Sequence, residues 1–231
     1  MFFLKELEFF ARDTGEDERN FCKLFWNQPS LPQDVPWHEE GGIMKAFIFF
    51  LAGSLFIVPT VHAENASLRV AESRKAIKTF AEELQNALQQ AIKTGGPAHA
   101  IQVCEEKAPE IAAGISEEKG WFIGRTSLKF RNPINAPDSW ELKVLRQFEE
   151  RKARGEDPNH LEYSQVVEKN GRRTFRYMKA IPTKGICLTC HGDNIPSKVS
   201  EKLNELYPGD KARGFKKDDI RGAFTIIQHI K

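Results

Sequence analysis

The stretch Tyr163-Ser164-Gln165-Val166-Val167-Glu168, then Lys169-Asn170-Gly171, then Arg172-Arg173-Thr174-Phe175-Arg176-Tyr177-Met178-Lys179-Ala180-Ile181 decides the fold. The two flanks are β-like runs, and Asn-Gly between such runs is the strongest short-range hairpin signal, because both turn residues must take positive φ. An antiparallel sheet is therefore expected. Downstream, residues 222–230 read as a further strand after the turn Tyr207-Pro208-Gly209-Asp210, and residues 197–206 as a short helix.

Upstream, Leu68, Ala71, Ala76, Phe80, Leu84, Leu88 and Ile92 recur every three or four residues, so residues 66–94 form a long amphipathic helix. Gly95-Gly96-Pro97 is expected to stop it. A second helix over residues 98–106 sets Ala100, Ile101 and Cys104 on one face, turning Cys104 inward; after Pro109 a short helix ends near Gly120. Residues 121–130 alternate as a strand and run into a turn-rich loop, and Ser139 caps a helix reaching about Gly155. Helices followed by an antiparallel sheet define an α+β domain.

Near the start, Met44-Lys45, the apolar run from Ala46 to Val58, Pro59 and Val61-His62-Ala63 have the layout of a secretory signal peptide with Ala63 at the cleavage point. Residues 1–43 are read as an upstream extension that is not part of the working protein. The codons of Glu39-Glu40-Gly41-Gly42 can spell a purine-rich ribosome-binding tract before Met44. The domain order is then 1–43 extension, 44–63 signal peptide and 64–231 working domain, in the periplasm if cleaved or anchored to the inner membrane facing the periplasm if not. Residues 1–63 carry 5 Lys+Arg against 9 Asp+Glu and the rest 29 against 23, a net charge of +6 for the working part. With +2 overall and no dense basic block, nucleic acid is excluded as a partner.

Directly after the hairpin comes Cys187-Leu188-Thr189-Cys190-His191. Cys-x-x-Cys-His is the attachment signature of one covalent haem c: thioethers form from two cysteines three apart, and the adjacent histidine meets the iron. Zinc would want a second ligand pair at matching spacing, and a thioredoxin-like redox pair would want a βαβ context. Neither is present in the sequence pattern. For the other axial position the residues leave His99, His160, His229, Met178 and Cys104 open. Arg125, Lys129 and Arg131 are the candidate partners of the haem propionates, with a solvated basic strand edge as the alternative.

The stretches Cys104-Glu105-Glu106-Lys107-Ala108-Pro109-Glu110-Ile111-Ala112, Gly124-Arg125-Thr126-Ser127-Leu128-Lys129-Phe130-Arg131-Asn132-Pro133, Asn135-Ala136-Pro137-Asp138-Ser139-Trp140-Glu141 and Gly214-Phe215-Lys216-Lys217-Asp218-Asp219-Ile220-Arg221-Gly222-Ala223-Phe224 resemble a family of single-haem c-type cytochrome domains, formerly a domain of unknown function. The likeness spans nearly all of residues 66–231, in order; one departure is Asp219, where a glycine is expected. It implies a PAS-like antiparallel sheet with a long N-terminal helix and flanking helices, and iron held by His191 and Cys104. A thiolate ligand stabilises ferric iron, so the resemblance implies a low-potential centre suited to electron transfer with a partner protein. The alternative is a redox or gas sensor acting through a separate protein. No output segment follows Lys231, which favours the carrier, and no enzymatic role is expected. Membrane contact is expected only through the signal segment.

Overall fold

The computed structural model describes residues 61–230. The extension at 1–43 and most of the signal segment at 44–63, with Cys22, lie outside the described residues. Eight elements follow in order: helix α1 (Val61–Lys119), strand β1 (Phe122–Thr126), α2 (Ser139–Ala153), β2 (Glu162–Lys169), β3 (Arg172–Pro182), the single turn α3 (Leu188–His191), α4 (Ser197–Leu206) and β4 (Ile220–Ile230). Among them no helix is long and apolar enough to cross a membrane.

The four strands form one antiparallel sheet in the order β1-β4-β3-β2. The hairpin turns where the sequence indicates, with Asn170 at φ 53° and Gly171 at φ 72°. Helix α1 covers one face, packing Ile77 and Phe80 on Ile123, Phe175, Tyr177, Phe224 and Ile226. Helix α2 covers the other, with Val144, Leu145 and Phe148 on Met178, Ala180 and Ala223. The α+β, PAS-like architecture read from the sequence is the one observed.

Three local expectations change. Gly95-Gly96-Pro97 bends the helix rather than ending it. Gly96 alone leaves helical geometry (φ 75°, ψ −178°), Pro97 starts the next segment, and that segment runs through Pro109 to Lys119. Proline suits the first turn because its missing N–H has no partner there; the one lost at Pro109 is outweighed by packing of Ile111 and Ile115 on the sheet. The cap of α2 is Asp138, not Ser139: the Asp138 carboxylate accepts from Glu141 N at 2.8 Å while Glu141 accepts from Asp138 N at 3.0 Å. A reciprocal pair satisfies two orphan donors at once, which Ser139 could not do from inside the helix. Asp219, in place of the expected glycine, closes its turn by accepting from Lys216 N at 2.7 Å and from Lys152 Nζ at 2.7 Å, and its neighbour Asp218 takes the positive φ of 67°. Aspartate tolerates that region better than most residues.

Candidate functional site

Strand β3 ends at Pro182, and the chain passes through one tight turn, Gly185–Cys187, into α3. That turn sets Cys187, Cys190 and His191 along one helical face, all three half-buried. The segment is pinned from both sides. Phe215 N donates to His191 O at 2.9 Å and Gly214 N to Gly192 O at 3.1 Å, while Arg131 Nη2 donates to Cys190 O at 2.5 Å.

The imidazole of His191 is oriented through its Nδ1, 2.8 Å from the carbonyl oxygen of Ala212. A carbonyl only accepts, so Nδ1 carries the proton and Nε2 presents a lone pair, the arrangement of metal-bound histidines. Arg221 Nε lies 3.2 Å from the same Nδ1 and 3.4 Å from Nε2. With Nδ1 protonated, the first approach is a guanidinium beside the ring and not a hydrogen bond to it. Burial, then the nearby Arg221 and Arg131 charges, push the His191 pKa well down and keep the ring neutral.

Cys104 comes from α1 beyond the bend, one turn past Ile101. Ile101 packs with Val199 and Leu203 of α4, and Cys190, Leu206 and Tyr207 complete this apolar cluster. Cys104 thus reaches the electrostatic environment of Cys190, Arg125 and Arg131; burial raises its pKa, and the two guanidinium groups oppose the rise. The other axial candidates are elsewhere. His99, His160 and His229 are exposed, and Met178 is fully buried under α2 in the far core.

Of the three basic residues singled out, Arg125 and Arg131 sit at this recess, and each is committed differently. Arg131 pairs with Asp210 (Nε to Oδ1, 3.2 Å) and holds the Cys190 carbonyl. Lys129 donates to Arg213 O at 3.1 Å and lies 5.0 Å over the Phe215 ring. Arg125 has no hydrogen-bond acceptor among the described residues, only the Phe80 face 5.7 Å away, and burial lowers its pKa. Arg221, not singled out from the sequence, donates to Ser127 Oγ at 3.1 Å and Lys129 O at 3.2 Å, both neutral. Burial, followed by repulsion from Arg131 and Arg125, pushes its pKa down to about 9. Guanidinium stays charged at neutral pH, so Arg221 is a poorly solvated positive charge among like charges, offset in part by Asp210. Asp210 was also missed: only 2 % of its side chain is exposed, and it ties together Arg131, Arg213 and the Ala212 N–H. Its sequence signal is a bare Pro-Gly-Asp turn.

A neutral imidazole whose Nε2 lone pair meets only the long 3.4 Å approach of Arg221 Nε, two cysteines on the same turn, a third cysteine across an apolar wall and two guanidinium groups without an ion-pair partner among the described residues fit an iron porphyrin with its carboxylates. Among the described residues no three His, Cys, Asp or Glu side chains converge as a protein-only metal cage would require, and the motif follows an antiparallel strand instead of opening a βαβ helix.

The fold and the site together define a small α+β domain with a Cys-x-x-Cys-His turn hung from its sheet. A model of the Tll0287-like family matches residues 63–228, and the chain belongs to that family. Among solved structures it is similar to the crystal structure of the cyanobacterial haem protein Tll0287, at 25% identity and a TM-score of 0.51, over 69% of this chain and 96% of that one. No curated protein sequence matches it.

Proposed function

We propose that this chain is a periplasmic mono-haem c-type cytochrome that carries electrons at low potential. Cys187 and Cys190 would supply the two thioethers, His191 Nε2 and Cys104 Sγ would hold the iron, and Arg125 would meet a propionate. The single observation that carries the reading is His191 Nδ1 held on the Ala212 carbonyl, which turns the Nε2 lone pair, met only by Arg221 Nε at 3.4 Å, toward ligand duty on the turn that also bears both cysteines. Kinship with a protein described as a haem protein supports it, and the signal-like segment at 44–63 supports export.

Bound there, haem would supply a one-electron couple, and ligation by a thiolate together with an imidazole would stabilise its oxidised side. The chain's own part is to fix the imidazole, to deliver Cys104 from an apolar wall, and to leave no open position for a substrate; electron transfer then follows more naturally than an enzymatic reaction. The test is expression with a cytochrome maturation system. The expected product has the mass of one covalent haem, keeps its colour after acid extraction and gives a low-spin thiolate signal in electron paramagnetic resonance that Cys104→Ala removes. Colourless polypeptide would sink the reading.

A second reading, a redox or gas sensor acting through a separate partner, is favoured by the position of Cys104 beyond the bend at Gly96. A Cys104 that ligated the iron would be easier to protonate in the reduced state, and a continuous helical segment links it to β1. Reduced-state spectra that change under carbon monoxide support this reading; unchanged spectra count against it.

A further inference from the structure

We propose that the basic rim around the Cys187–His191 turn is the docking surface for an acidic protein, the electron partner of this chain; the proposal rests on the carrier reading above. The rim is assembled by backbone pairing. Thr183 N bonds to Asp219 O and Asp218 N to Thr183 O, both at 2.8 Å, so Lys184 and Ile186 lie beside Lys216 and Lys217. The pairing of residues 214 and 215 with 192 and 191 continues the strip. Lys211 N on Phe130 O at 3.1 Å and Lys129 Nζ on Arg213 O bring the other edge alongside.

Lys129, Lys184, Lys211, Lys216 and Lys217 are all exposed, and none makes an ion pair among the described residues. Lys211 stacks on Phe130 and Lys129 on Phe215, which fixes two of the charges in place. The acidic residues on the same strip are few: Asp219 is taken by Lys152 and Asp210 by Arg131 and Arg213, leaving Asp193, Asp218 and the half-buried Glu149 beside Lys129 and Phe215. Inside the rim Ile186, the residue before Cys187, is 50% exposed. An apolar contact framed by unpaired like charges beside the redox turn is the layout that steers an oppositely charged partner and then desolvates a small centre. An anionic membrane would meet the same charges, but a carrier must bring its cofactor to another protein's, and the rim surrounds the Cys187–His191 turn that would hold it.

The test uses the full chain expressed with haem, with poly-L-glutamate as the acidic probe, at low and physiological salt. Binding is expected to weaken about tenfold in Lys184→Glu/Lys217→Glu. It should be unchanged in Lys169→Glu/Arg172→Glu, the same charge change at the hairpin tip, the far end of the 11-residue β3, roughly 33 Å away. Equal loss in both variants, or none in either, overturns the proposal. So does rim-dependent sedimentation with phosphatidylglycerol vesicles in the absence of poly-L-glutamate binding, which would assign the rim to a lipid surface. Absorbance of the same samples keeps the two ideas apart, because a colourless chain refutes the carrier whatever it binds.

Discussion

His191 Nδ1 and the carbonyl oxygen of Ala212 lie 2.8 Å apart across 21 residues of chain, and this contact turns a flexible imidazole into an aimed one. The carbonyl is itself held, because Asp210 Oδ1 accepts from Ala212 N at 2.9 Å and from Arg131 Nε at 3.2 Å. Burial alone would raise the Asp210 pKa; the bonds from Arg131, the Ala212 N–H and Arg213 outweigh it and pull it below the usual range. Asp210→Asn keeps the shape and removes the charge. It should cost about 2–4 kcal/mol in urea unfolding, since a mostly buried pair loses one partner. The resonance lines of the haem-loaded form should broaden as the ring loses its fixed orientation; an unbroadened spectrum would show that Asp210 only stabilises the fold.

Arg125 and Arg221 should respond with opposite sign in the two forms of the protein. Without an anion they repel and are poorly solvated, so Arg125→Gln/Arg221→Gln should stabilise a haem-free Cys187→Ala/Cys190→Ala background by roughly 1 kcal/mol. In the haem-loaded protein the same pair should destabilise, because propionates would lose charge-assisted partners. Thermal unfolding of the four proteins measures both signs, and the same sign in both backgrounds would remove these arginines from propionate binding.

How much of this was legible in the chain depends on distance along it. Asn170-Gly171 announces the hairpin because two successive positive φ angles demand such residues, and Cys187, Cys190 and His191 announce their chemistry because one helical turn sets their geometry. The approach of Cys104 to Cys190 has no local signal. It follows from how α4 leans on α1; helical spacing turned Cys104 inward, and a likeness to a family singled it out among the open candidates. Gly95-Gly96-Pro97 reads as a stop, yet apolar faces on both sides of the bend share the same sheet, and tertiary packing carries the helix through. Arg221 opens a strand with no periodicity to distinguish it from a solvated residue, and Asp210 hides in a turn.

Glu162 supplies the acid-sensitive element of the fold. It accepts from Arg74, pairs with it, and accepts from Tyr177 Oη at 2.6 Å, so β2 is tied to α1 and β3. The Arg74 bond is the largest reason its pKa falls from 4.5 to about 2, against burial, with Tyr177 adding to the fall. A depressed carboxylate stabilises the fold above its unfolded pKa, and that part is lost as pH falls from about 4.5 through about 2. Arg74 is more than half exposed, so solvent screening limits the contribution to roughly 1–2 kcal/mol. Glu162→Gln should lose that amount at pH 7 and flatten the stability profile between pH 5 and 2, read by urea midpoints at each pH; an equally steep profile would place acid sensitivity elsewhere.

Asp138-Ser139-Trp140-Glu141 is explained by the fold rather than by the redox site. Glu141, buried, caps α2, accepts from Thr225 Oγ1 at 2.8 Å and lies 3.3 Å from Arg176 Nη2. Arg176 Nη1 meets Asp138 at 2.7 Å, and its guanidinium lies 4.3 Å over the Trp140 ring. Five side chains thereby fasten the start of α2 to β3 and β4 on the face away from α1. Removing one partner leaves the other charge buried, so Arg176→Met should cost about 3–5 kcal/mol, and adding Glu141→Gln should restore part of the loss instead of adding to it. Because none of these residues touches the Cys187–His191 turn, the midpoint potential of the haem-loaded protein should stay fixed while its stability moves. A potential that shifted with Arg176→Met would mean that this clamp reaches the site through the sheet.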